Sequence, residues 1–73
     1  MTKTITAVFD SPEQVTNAFD DLISTGIPQE KIYAEKDRPE LKVSTPDTTA
    51  PEITEILRRH RPKDITEKPL PGG

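Results

Sequence analysis

The chain has 73 residues, no cysteine, and ten Lys and Arg against thirteen Asp and Glu, for a net charge of −3. This length fits one domain around one core. The lack of cysteine excludes a disulfide staple and thiolate chemistry, and the acidic balance argues against general binding to a nucleic-acid backbone, whose affinity comes from Lys and Arg. With 30% hydrophobic residues and eight prolines, the chain lies near the border where burial fails to offset conformational entropy, so the placement of its apolar residues decides whether it folds.

Met1-Thr2-Lys3-Thr4 leads into a short alternating run. The sequence therefore predicts no secretory leader, and no segment is long enough to span a bilayer. A cytoplasmic domain of residues 1–68, with a loose tail over 69–73, is the expectation.

Between Lys3 and Phe9, Ile5, Ala7 and Phe9 alternate with Thr4, Thr6 and Val8, the period of two expected of a strand with the first set facing the core. A helix start follows at once, with Ser11 as N-cap, Pro12 at the first helical position and Gln14 completing a capping box. Val15, Ala18, Phe19, Leu22 and Ile23 then recur at helical spacing and predict one buried stripe, with Asn17, Asp20, Asp21 and Ser24 facing away. Gly26 supplies a left-handed terminus, Ile27 is placed to touch Leu22 in a Schellman cap, and Pro28 prevents the helix from resuming.

Ile32 and Ala34 predict a short second strand, and Leu41 and Val43 a third, with Lys36-Asp37-Arg38-Pro39 as the turn between them. All four apolar residues are expected on the core side. Thr49, with Thr48 as the alternative, caps a second helix in which Glu52 completes another capping box and Ile53, Ile56 and Leu57 form the stripe. Arg58, Arg59, His60 and Arg61 crowd its last turn and Pro62 ends it. Lys63 to Lys68 holds one large apolar residue, Ile65, and is the least marked strand.

Strand, helix, strand, strand, helix, strand predicts an α+β fold, the ferredoxin-like βαββαβ sandwich, with both helices on one face of a four-stranded antiparallel sheet. The open face would show Thr4, Thr6, Val8, Tyr33, Glu35, Lys42 and Ser44, and Thr66 if the fourth strand forms.

The first half, Thr6-Ala7-Val8-Phe9-Asp10-Ser11-Pro12-Glu13-Gln14-Val15 through Leu22 to Gly26-Ile27, resembles the N-terminal segment of the heat-induced general stress protein family of bacteria. That segment also has a strand, a Phe-Asp-Ser/Thr turn, a capped helix and a terminal Gly before an apolar residue. The resemblance covers about a third of the chain, and the second half shows nothing of the family. It implies a small bacterial cytoplasmic domain linked to stress, with no catalytic residues to carry over.

No residue constellation predicts catalysis, a cofactor or a metal. His60 is the single histidine and has no cysteine beside it, which leaves the usual zinc and copper ligand sets incomplete. Asp10-Ser11-Pro12-Glu13 stands where ferredoxin-like metal carriers place Cys-x-x-Cys. Ser11 and Ser24 lack an activating base, and Ser11 is accounted for as a cap. Asp10 and Glu13 are acids at a helix N-terminus, where the dipole favours them. There is no glycine-rich phosphate loop. The central strands offer Thr4, Thr6, Val8, Lys42 and Ser44 where RNA-binding relatives of this topology expose aromatics, so nucleic acid is not an expected partner.

Two surfaces remain. Thr4, Thr6, Val8 and Tyr33 on the open face, or an edge strand, would bind a protein partner or a second copy. Arg58, Arg59, Arg61 and Lys63 would form an anion or acidic-partner patch, although a solvated helix end explains the same cations. The sequence thus predicts a non-enzymatic interaction or regulatory module, with a small-ligand or anion sensor as the alternative.

Overall fold

The computed structural model describes residues 2–35 and 37–69. In chain order they form β1 (Thr2–Val8), α1 (Pro12–Thr25), a single 3-10 turn (Gln29–Lys31), β2 (Ile32–Glu35), β3 (Glu40–Pro46), α2 (Ala50–Arg58) and β4 (Asp64–Pro69). The strands make one sheet in the order β2-β3-β1-β4, antiparallel throughout, which is the ferredoxin-like arrangement. β4 forms, and it runs on to Pro69, where the tail was expected to begin. The rest of that tail, 70–73, lies outside the described residues, as do Met1 and Lys36 of the expected turn.

Register follows the hydrophobic alternation. Ile5 lies opposite Val43, which lies opposite Ile32, and Ala7 is flanked by Leu41 and Ile65. Directly opposed residues share a sheet face, so these rows make one apolar surface. Phe9, Val15, Ala18 and Leu22 from the first half and Ala50, Ile53, Ile56 and Leu57 from the second complete the core, with Phe19, Ile27 and Ile65 partly buried against it.

Both ends of α1 are built as the sequence predicts. Ser11 Oγ accepts the Gln14 N–H at 3.4 Å and Gln14 Oε1 accepts the Ser11 N–H at 3.1 Å, closing the capping box. At the other end Gly26 takes φ 111°, its N–H donates to Ile23 O at 3.0 Å, and the Ile27 N–H donates to Leu22 O at 3.1 Å, the two bonds of a Schellman motif. Gly26→Ala is expected to lower the melting temperature by about 4–8 °C, because an L-residue in this conformation costs about 1 kcal/mol. Nothing lies within 4 Å of the added Cβ, so an unchanged melting temperature would show that the left-handed cap is not what ends α1.

The structure departs from the expected pattern in four places. Ile23 is 39% exposed. Each helical residue turns by about 100°, which puts Ala18 and Leu22 to one side of Val15 and Phe19 and Ile23 progressively to the other, so burial fades from Phe19 to Ile23. Asp21 faces inward and is half-buried, because α2 ends on its side of α1. Ala34 shares its face with Leu41 but is exposed; β2 is the edge strand, and its end lines a cleft beside Pro12, Val15 and Thr16 and is not covered by the helix. Thr49 makes no side-chain cap bond and has helical φ and ψ of −96° and −14°. The turn before it takes the donor that the Glu52 side chain would have met, with Thr49 N–H on Pro46 O at 3.0 Å, and also Ala50 N–H on Asp47 O at 3.3 Å, so the reciprocal capping box does not form. Thr45, 2% exposed, joins the core face as a polar residue whose hydroxyl donates to Pro46 O at 3.2 Å.

Candidate functional site

The face of the sheet away from the helices is ordered in rows. One row reads Glu35, Glu40, Val8, Asp64 across β2, β3, β1 and β4, and the next reads Tyr33, Lys42, Thr6, Thr66. The third holds Ser44, Thr4 and Lys68. Thr4, Thr6 and Val8 therefore run down the centre of the face, half-buried between neighbouring strands. Tyr33 does not join them. It is 59% exposed, stands two strands from β1, and is separated from Thr6 by Lys42.

Val8 has carboxylates on both sides in its row. Glu40 is only 8% exposed although it lies on the open face, and it has Arg38 Nε and Lys42 Nζ each at 3.9 Å. This row offers a ring of charge around one aliphatic side chain, and the apolar grip of the face is not continuous.

The four cations near the end of α2 divide between different neighbours. Arg58 lines a cleft that also contains Lys3, Asp47, Glu55 and Glu67, whereas Lys63 Nζ lies 3.9 Å from Asp10 Oδ1. Arg59 and Arg61 are exposed. Arg61 adopts φ 56°, the left-handed region that usually calls for glycine. Its N–H donates to Arg58 O and that of His60 to Leu57 O, both at 3.1 Å.

What holds this turn comes from α1. Gln14 Nε2 donates to His60 O at 3.0 Å and to Arg61 O at 3.3 Å, and His60 Nε2 lies 2.9 Å from Asp21 Oδ2. Gln14 and Asp21 are seven residues apart, two helical turns, and so occupy one flank of α1. The single histidine is thus part of the joint between the helices. The sequence marks Gln14 as a capping residue and not for this second role, because nothing local marks a contact across 46 positions.

A cleft of about 350 Å³ opens between the end of α1, the end of β3 and the start of α2, with Ile27, Lys31, Thr45, Thr49 and Ile53 in its wall. Among the described residues no three His, Cys, Asp or Glu side chains are placed to hold a metal, and no helix is long and apolar enough to cross a membrane. No protein-family model matches the chain, and neither a curated protein nor a solved structure matches it.

Proposed function

We propose that the domain is a non-enzymatic interaction module that binds a protein partner or a second copy of itself through the uncovered side of its sheet or an edge strand. One observation carries this: both helices pack on the same face, leaving Tyr33 59% exposed on the other. An aromatic ring on an open sheet contributes large contact area at small entropic cost when it is covered. Tyr33→Ala is expected to weaken the complex at least about tenfold, because aromatic residues are enriched among the few that carry most of an interface's binding energy. Val8→Thr, which keeps the branched shape the strand needs, is expected to weaken it less. Sedimentation equilibrium for self-association and pull-down for a partner provide the readouts, and a strict monomer that captures nothing would overturn the reading.

The second reading, a small-ligand or anion sensor, is favoured by the cleft beside Lys31, whose volume of about 350 Å³ falls in the range of small-molecule pockets. A ligand that binds only the folded state raises its melting temperature, so a metabolite panel that shifts the wild type but not Lys31→Ala would favour the sensor. The resemblance of the first half makes bacterial cytoplasmic stress the first process to examine in either case.

A further inference from the structure

We propose that the free edge of β2 pairs with the β2 edge of a second copy about a two-fold axis at Tyr33, joining two four-stranded sheets into one. This rests on the reading of the domain as an interaction module and names the edge and the partner.

Backbone direction supports it first. The Phe9 N–H reaches across to Pro39 O on the β3 side, at 2.7 Å, while Val8 O receives the Lys63 N–H from the β4 side. Successive residues of an antiparallel strand point their backbone groups to opposite neighbours. Odd-numbered residues of β1 therefore bond β3, so Leu41 and Val43 bond β1, and Glu40 and Lys42 turn toward β2. Tyr33 and Glu35, opposite Lys42 and Glu40, bond inward, and Ile32 and Ala34 direct their groups to the open edge. The Ile32 N–H agrees, being taken by Gln29 O. The open edge thus offers Ile32 C=O, Ala34 N–H and Ala34 C=O.

The side chains select the occupant. Read against itself in antiparallel register, β2 sets Ile32 opposite the second copy's Ala34 and Tyr33 opposite Tyr33, with the outer pair repeated by symmetry, and brings Lys31, the last residue of the 3-10 turn, to the end of the pairing beside the second copy's Glu35. Opposite charges, aromatic pairs and apolar pairs are the cross-strand combinations that stabilise a sheet. Tyr33 falls at a non-hydrogen-bonded position, where side chains approach most closely. Ala34 N–H donates to the other copy's Ile32 C=O, twice over. The pairing covers Tyr33 and Ala34, both exposed in the single chain. A register centred on Ala34 would instead put Tyr33 against Glu35. The opposite edge, β4, read against itself about Thr66, matches Asp64 with Lys68 but sets the apolar Ile65 against Glu67, and its last residue, Pro69, has no N–H to give. An interface this short associates weakly.

The test is sedimentation equilibrium of the full chain up to about 1 mM, for wild type, Lys31→Glu, Glu35→Lys, the double exchange, and Ala34→Pro. The expected result is a wild-type dimer whose Kd rises at least about tenfold in each single exchange and returns toward wild type in the double. Ala34→Pro removes an N–H that β3 does not use, and proline is tolerated on an edge, so this variant is expected to be monomeric with an unchanged circular dichroism spectrum. A dimer indifferent to both single exchanges overturns the β2 edge and leaves the interaction module standing. A wild-type monomer throughout overturns the pairing, and if pull-down also yields nothing the broader reading falls with it.

Discussion

Leu22→Ala is expected to destabilise the domain by about 3 kcal/mol, while Ile23→Ala, the next residue on the same helix, costs less than about 1. Sequence periodicity puts both in one stripe, yet Leu22 is 0% exposed and Ile23 39%. Truncating Leu22 removes its transfer energy and leaves a cavity that close-packed neighbours refill only in part. Ile23 is already partly in water and leaves no cavity. A domain of this size holds roughly 4–11 kcal/mol in all, so the Leu22 variant loses a large share of its stability. Urea unfolding with an unchanged slope reads the difference directly, and equal midpoints for the two variants would mean that Ile23 is covered in solution.

Local chemistry carried the fold into the sequence. Ser11, Gln14, Gly26 and Ile27 specify α1 by interactions within a few residues, and alternation around Ile5, Leu41 and Val43 specifies which face each strand buries. Where the outcome depends on a distant neighbour, the pattern is silent or misleading. Ile23 and Ala34 are apolar residues at the right spacing that extend past the edge of their cover. Asp21 and Gln14 are polar residues on a flank that turns out to face the end of α2. Thr49 is a good cap residue held in a helical conformation by the turn before it, and its side chain makes no cap bond. The candidate site divides the same way: alternation placed Thr4, Thr6, Val8 and Tyr33 on one face, but only the strand order shows that Tyr33 stands at an edge apart from Val8. The grouping of Arg58, Arg59, Arg61 and Lys63 was a grouping along the chain; in space Arg58 and Lys63 face different carboxylates.

Gln14→Glu is expected to destabilise the domain by about 2 kcal/mol, the loss of two hydrogen bonds to carbonyls that are left without their donor. Helix capping alone predicts the opposite sign. Glutamate serves as well as glutamine in a capping box, and a negative charge in the first turn is favoured by the helix dipole. In the folded domain, however, Gln14 uses both ends of its amide: Oε1 accepts from Asp10 N–H and Ser11 N–H, each at 3.1 Å, while Nε2 donates to His60 O and Arg61 O. A carboxylate keeps the first pair and sets an oxygen against the second. Arg61 then holds φ 56° without the bond that supports it, at a cost a glycine would not incur. Arg61→Gly is therefore expected to recover part of the Gln14→Glu loss, and Gln14→Ala, which gives up the capping box as well, to lose about 2–3 kcal/mol. Thermal unfolding separates the cases, since about 2 kcal/mol lowers the midpoint of a domain this small by about 10 °C. A Gln14→Glu protein as stable as wild type would mean that the amide caps α1 and does not tie the two helices together.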